Sequence, residues 1–307
     1  MTAITLLALL SLVLSWTSLD AEQQRSAETL ANQPKLETNS PLLETGTTTT
    51  VRKPIPLDSD IKILSYNIRW RGGEDLDKLI KLFRDDPEIG NAAFLCLQEV
   101  DRNKKRTHQK NTVRHVANQL DLHYAWTAPP TAKATDEEET GVAILSRFPL
   151  AQITRIVLPN AGPNHRRRVA LGATVDMGGT KLRLYSVHGE TRIAIKKKME
   201  QLDAVIQDLA QFPKDMPAII AGDFNTWDPG AGKKTRELFT KAGFQTPFGG
   251  DPTLRYMLLF VPIDLKLDWI WMKGLQPVSS GIGRNINISD HWPLWANFKQ
   301  LPSASNK

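Results

Sequence analysis

The stretch that most constrains this chain is residues 217–227, PAIIAGDFNTW. An apolar run from Pro217 to Ala221 climbs to Gly222 and then meets Asp223, Phe224 and Asn225. Such a run reads as a buried strand with polar groups at its C-terminal tip. Gly222 admits close approach of another backbone or a ligand. Asp223 and Asn225 are two apart, so on a continuing strand they face one side. A carboxylate beside an amide at a strand tip can hold a water, a metal or a phosphate oxygen. The same pair can also close a loop as an Asx turn.

The pattern recurs along the chain. Ile61–Asn67 reads as a strand ending at Asn67, and residues 92–99 as a second, tipped by Glu99. Residues 142–146 form a third. Residues 169–175 and Lys181–His188 pair as a hairpin across Met177, Gly178 and Gly179, ending at His188. Residues 267–271 carry Asp268, and the last strand, 293–298, is immediately preceded by Ser289, Asp290, His291 and Trp292. Helical spacing appears at Leu76, Leu79, Ile80 and Phe83, and across 193–209, with shorter helices at 114–120 and 236–242. This order predicts an α/β fold of long mixed sheets covered by helices. One polar strand tip is ordinarily a cap or a surface group. Six of them, at the ends where open sheets bind ligands, indicate a site.

The totals fit a soluble globular domain: 307 residues, 41% hydrophobic and 23% charged. The single cysteine, Cys96, lies in an apolar run, as a core residue would. The net charge of +6 favours a polyanionic partner. Residues 1–20 are expected to be a signal peptide or N-terminal anchor, although no Lys or Arg follows Met1. Residues 21–57, polar and without an apolar period, are expected to be a disordered linker, and 58–300 the catalytic domain. The protein is accordingly expected to be exported, or held at a membrane by its N-terminal segment only, and monomeric.

The tip residues make chemical sense together. Glu99, Asp290 and the amide oxygen of Asn67 are hard oxygen ligands, suited to Mg²⁺, Mn²⁺ or Ca²⁺. No Cys/His cluster of zinc spacing is present. A histidine beside an orienting carboxylate serves as a general base or an electrostatic clamp. Metal, histidines and amide donors together suit phosphoryl chemistry.

The motifs YNIR at 66–69, LQEVD at 97–101, ETGVAILSRFPL at 139–150, GDFNTW at 222–227, DWIW at 268–271 and SDHWPL at 289–294 occur in this order. Together they resemble the endonuclease/exonuclease/phosphatase superfamily, the fold of deoxyribonuclease I. The resemblance implies a four-layer α/β sandwich, with two packed mixed β-sheets flanked by helices, and Mg²⁺-dependent (or Mn²⁺-dependent) phosphoester hydrolysis. By motif position it implies Glu99 as principal metal ligand with Asn67 and Asp290 close by. It implies Asp223 and Asn225 as the pair that positions water and phosphate, His291 with Asp268 as the His–Asp pair, and His188 as the second active-site histidine. Gly189 and Glu190 follow His188, where many relatives are more apolar, and Glu139 is a candidate acid partner for it. Either Asp223 or His291 would orient or deprotonate the attacking water.

Four basic clusters stand out, at 102–106, 166–168, 196–198 and 233–236. Arg166, Arg167 and Arg168, with His165, are the best candidates for substrate phosphate contacts, and Lys196–Lys198 reads as a solvated helix face. The expected substrate is nucleic acid or another phosphoester. The alternative is a lipid-directed phosphodiesterase or phosphatase of sphingomyelinase or inositide-phosphatase type. For that, the one suspicious apolar patch, Met257 to Val261, is short. A non-catalytic binding module is disfavoured, because every expected catalytic residue type is present.

Overall fold

The computed structural model describes residues 35–38, 40–50, 59–130 and 139–300. A six-stranded sheet has the order β1 (Lys35–Glu37), β7 (Leu150–Val157), β8 (Val169–Asp176), β9 (Lys181–His188), β10 (Ala218–Asp223), β13 (Asp268–Lys273). A seven-stranded sheet has the order β14 (Leu275–Ile282), β15 (Leu294–Gln300), β3 (Ile61–Asn67), β4 (Phe94–Arg102), β6 (Glu139–Ser146), β5 (His123–Thr127), β2 (Leu43–Gly46). A separate hairpin, β11 (Leu254–Leu258) with β12 (Val261–Leu265), completes the strands among the described residues. The helices are α1 (Gly73–Asp85), α2 (Thr112–Leu120), α3 (Ile195–Leu209) and α4 (Ala231–Lys241).

Alternation of side chains along the central strands builds four layers. Ile61 and Ile63 of β3, Phe94 and Cys96 of β4, and Ile219 and Ala221 of β10 enter one core shared by both sheets. Their neighbours turn outward. Leu64, Tyr66, Leu95 and Leu97 meet the apolar faces of α1 and α2. Ala218 and Ile220 meet Leu202 and Val205 of α3 and Phe239 of α4. Strands covered on both faces read as continuous apolar runs, which is why they were legible. The expected four-layer α/β sandwich of two mixed sheets is therefore the observed architecture. Cys96 is a buried core residue, and burial pushes its thiol up to about 12.

Two expectations need correction. The predicted linker is not unstructured where it is described: β1 pairs with β7 and β2 with β5. These strands are too short and polar to show a period. They are held by edge pairing and by ion pairs from Glu37 to Arg155 and from Glu44 to Arg102 and Arg114. Residues 1–34 and 51–58, with the predicted signal segment, lie outside the described residues. The helix expected at 236–242 begins at Ala231, with Gly230 at its N-cap and Gly232 in its first turn, and these glycines weaken the helical signal.

Candidate active site

Two parallel strand pairs position the site. β3 and β4 are joined through α1, and β9 and β10 through α3. Parallel strands end at the same edge, so Asn67 and Glu99 come together in one sheet and His188 and Asp223 in the other. Gly222 makes the second pairing fit: a Cβ there would lie 2.0 Å from the Val187 carbonyl oxygen, and its φ is 146°. β13 runs antiparallel to β10 and sets Asp268 opposite Asp223. The register of β4 against β6 shifts between Gln98 and Val100. Glu99 fills that bulge with φ 56°. Bulges re-aim side chains beside active sites, and this one frees Glu99 from the ladder.

At the centre lie Asp223, Asp268 and His291, whose ligating atoms all fall within 4.8 Å of one another. Asp268 Oδ2 is 2.8 Å from His291 Nδ1. Asp223 Oδ2 lies 3.7 Å from His291 Nε2. Burial opposes charge on His291, but Asp268 and Asp223 outweigh it and raise its pKa to about 10. The ring is thus an imidazolium at neutral pH. Burial, with Asp268 adding to it, raises Asp223 to about 6. The predicted His–Asp pair is present, and Asp223 joins it.

Asn225 serves both readings of the GDFN stretch. Its N–H donates to Asp223 Oδ1 at 2.9 Å, an Asx turn, while its side-chain amide donates to Gly189 O at 3.0 Å. The turn fixes both residues at the site.

Glu99 receives Trp70 Nε1–H at 3.0 Å and lies 3.4 Å from Asn67 Nδ2. Asn67 also donates to Asp223 Oδ2 at 3.0 Å, and its oxygen accepts Arg69 N–H at 3.0 Å. The amide oxygen expected as a ligand is therefore turned to the backbone, and the NH₂ group faces the carboxylates. Asp290 is held by Arg69 Nη1 at 2.8 Å and by Ser289 Oγ–H at 3.2 Å. The predicted set Glu99, Asn67, Asp290 thus borders the site, with two members tied to Arg69. Whether the residues fit a hard cation is answered by their chemistry. Four carboxylates surround the cleft, and Asp268 Oδ1 is buried without a hydrogen-bond partner. That surplus of oxygen donors fits a divalent ion.

His188 Nε2 lies 3.6 Å from Asp223 Oδ2 and 3.9 Å from Glu99 Oε1. Its Nδ1 faces Arg168 Nη1 at 3.3 Å. A guanidinium only donates, so Nδ1 accepts and the proton sits on Nε2, aimed at the cleft. Burial, then Arg168, His291 and Arg166, hold His188 well below the ordinary histidine range. Glu139 is not its partner: it pairs with Arg102 at 3.1 Å. Glu190, buried, instead binds Arg166 through both oxygens and lies 3.3 Å from Arg168. Arg168 therefore reaches the site, Arg166 borders it, and Arg167 turns away to Leu158 O at 3.0 and 2.8 Å.

Sequence reasoning missed Trp70, Arg69, Glu190 and Lys198. Lys198 is buried, not solvated. It donates to Asn225 O at 2.6 Å and Thr191 O at 2.8 Å and pairs with Asp228 at 2.8 Å, buttressing the loop after β10. Its place four and seven residues before Leu202 and Val205 was a usable signal.

With this geometry in view, the comparisons with known proteins can be read. The Endonuclease/Exonuclease/phosphatase family model matches residues 64–291. The chain belongs to that family. It is 26% identical over 257 residues to the uncharacterized protein YbhP of Escherichia coli K12, covering 77% of this chain and 95% of YbhP. A family structure from Beutenbergia cavernae superposes with TM-score 0.62 at 16% identity, over 78% of this chain and 72% of that one. D. rerio TDP2, solved with a single-strand DNA product, superposes with TM-score 0.60 at 18% identity, over 79% and 100%. Family membership makes the chain a phosphoesterase/nuclease-type hydrolase, and the carboxylates that surround the cleft form its candidate metal site.

Proposed function

We propose that this chain is an exported Mg²⁺- or Mn²⁺-dependent phosphodiesterase acting on nucleic acid. The observation that carries the reading is the convergence of Asp223, Asp268 and His291 within 4.8 Å, beside Glu99 and a His188 Nε2–H aimed at the same cleft. The cation surplus of the chain and a neighbour solved with a DNA product support the substrate class.

Glu99 and Asp290, with Asp223 in reach, would hold the divalent ion. When bound, it would supply positive charge to offset the negative charge of the phosphoryl oxygens. The residues do the rest. Asp223, with a pKa near 6, is ionised at neutral pH and accepts a proton from water at Oδ2. His291 is cationic, so it stabilises developing negative charge and is not the base. Asp268 fixes the His291 ring through Nδ1. His188 donates Nε2–H to a non-bridging oxygen, and Asn225 is held at the same edge by Gly189.

A lipid-directed phosphodiesterase is the second reading, favoured by the apolar hairpin beside His291 described below. The deciding assay compares plasmid DNA, RNA, sphingomyelin and an inositol phosphate with Mg²⁺, Mn²⁺ or EDTA, using Glu99→Ala as control. Metal-dependent DNA cleavage lost in the variant is the expected result. Turnover of lipid or inositol phosphate alone would overturn the nucleic-acid reading, and turnover of none would overturn both.

A further inference from the structure

The hairpin β11–β12 belongs to neither large sheet. Its connecting residues, Leu259 and Phe260, both have positive φ, 44° and 73°. That is the type I′ pattern of a two-residue hairpin, normally filled by Asn-Gly or Asp-Gly because bulky residues resist positive φ. Leu259 and Phe260 are also 84% and 94% exposed, the highest values among the large apolar side chains described. Neither turn chemistry nor solubility favours two large apolar residues at this point, and exposed apolar groups of this kind mark interaction surfaces.

The apolar surface extends down both strands. Tyr256 and Met257 on β11 and Val261 on β12 are exposed. Adjacent strand residues face opposite sides, so Tyr256 and Met257 make the tip apolar on both faces. A hairpin seated on a protein surface needs one apolar face. One apolar all round suits immersion in an apolar phase. At about 3.3 Å per residue, the apolar tip is about 10 Å long, which matches the depth of the headgroup–acyl boundary.

Charge points to the same partner. A groove of about 570 Å³ along β12 is lined by Lys233 and Arg236, with exposed Trp227. Its one acid, Asp264, is held by Arg255 at 2.7 and 2.9 Å. Cations with an interfacial tryptophan suit anionic headgroups. The hairpin base is also fastened to the active site. Leu254 bridges His291, Trp292 N–H donates to Thr253 O at 2.7 Å, and Thr253 Oγ accepts the N–H groups of Leu267 and Asp268 at 3.0 Å each.

We propose that the β11–β12 tip inserts into the headgroup layer of an anionic lipid surface, with the groove that carries Lys233 and Arg236 against the headgroups. This docking is separate from any contribution of the N-terminal segment and brings the loop carrying His291 to the membrane.

The test reads the tip locally, because the apolar N-terminal segment of the full chain can itself bind vesicles. Cys96 is the single cysteine and is buried, so Val261→Cys takes a polarity-sensitive thiol dye selectively. On phosphatidylglycerol vesicles the dye emission should shift to the blue, and aqueous iodide quenching should fall several-fold. Adding Leu259→Asn and Phe260→Gly restores favoured turn residues while removing the apolar tip. That variant should melt no lower than its parent and lose the shift. A dye that stays water-like on vesicles to which the protein is bound overturns the proposal. So does a shift that survives the Asn-Gly turn.

Discussion

The side-chain amide of Asn67 donates to Asp223 Oδ2 at 3.0 Å, and this bond joins the tip of a strand in one sheet to the tip of a strand in the other. It also helps to hold down the Asp223 pKa, against burial. Asn67→Ala should therefore raise that pKa above about 6. At pH 7 less Asp223 is then ionised, so hydrolysis falls, by about 2- to 10-fold for the loss of one hydrogen bond to a carboxylate, and recovers as pH rises. The pH–rate profile checks this: its acid limb should move upward. An unmoved limb would remove Asp223 as the proton acceptor.

Trp70 fixes the carboxylate of Glu99 through one hydrogen bond at 3.0 Å, while Arg106 stacks on its ring at 4.2 Å. Trp70→Phe keeps the ring and deletes the donor. Loss of a partner that orients a ligand costs about 10-fold or more in metal affinity. Calorimetric titration with Mn²⁺ should show that loss at an unchanged melting temperature. Equal affinity would mean that Glu99 needs no such support.

Arg168 sets the tautomer of His188. In ¹⁵N spectra of the native protein, Nδ1 should appear unprotonated and Nε2 protonated. Arg168→Leu frees Nδ1, so both tautomers should be populated and kcat should fall about 10-fold, with Glu190 still held by Arg166. A single unchanged tautomer in the variant would assign ring orientation to the cleft itself.

The central strands were legible because burial on both faces leaves continuous apolar runs ending in polar tips. Ile219 to Asp223 shows both features at once. The outer strands were not: β1, β2, β7 and β14 mix polar and apolar residues, and their pairing rests on tertiary contacts such as Arg155 with Glu37. At the site, motif order singled out Glu99, Asp223, Asp268 and His291, which the fold brings to one edge, although Glu99 lies at a bulge inside β4 and not at its tip. Apart from His291 with Asp268, partners separated in sequence were invisible. Nothing near Arg168 says that it caps His188, and nothing near Glu139 says that it faces Arg102.

Lys266 carries a cost that pH should reveal. Burial lowers its pKa to about 8, and its ammonium has no hydrogen-bond partner. The unfolded chain keeps the ordinary lysine value, so between about pH 8 and 10.5 it binds the proton more than the fold does. Stability attributable to this group therefore rises with pH across that window, and the penalty is full below it. Lys266→Met should stabilise the protein at pH 7 by on the order of 2 kcal/mol, discounted for its partial exposure. The gain should shrink as pH approaches 10.5. Denaturant titrations at pH 7 and pH 10 test the sign, and a constant difference would show that the lysine is solvated.

Glu44 is the point at which the N-terminal strands hold the domain. Its Oε1 accepts Asn111 Nδ2 at 2.7 Å, Arg114 Nη2 at 2.7 Å and the Tyr124 hydroxyl at 2.7 Å, and its Oε2 meets Arg102 Nη1 at 3.4 Å. With β1 on one sheet and β2 on the other, these two strands clasp an edge of each. Burial works to raise the Glu44 pKa, but the bonds from Tyr124 and Arg114 win and hold it below the ordinary 4.5. Its stabilisation is therefore present above pH 4.5 and lost as pH falls through the lowered value. Glu44→Ala leaves several donors without their acceptor and should cost about 1–3 kcal/mol at pH 7, a melting-temperature drop of roughly 2–10 °C. As pH falls through that lowered value the wild type loses the same contribution, so the two melting curves should converge. Curves that stay parallel down to pH 3 would show that packing of β2, and not the carboxylate, fastens this segment.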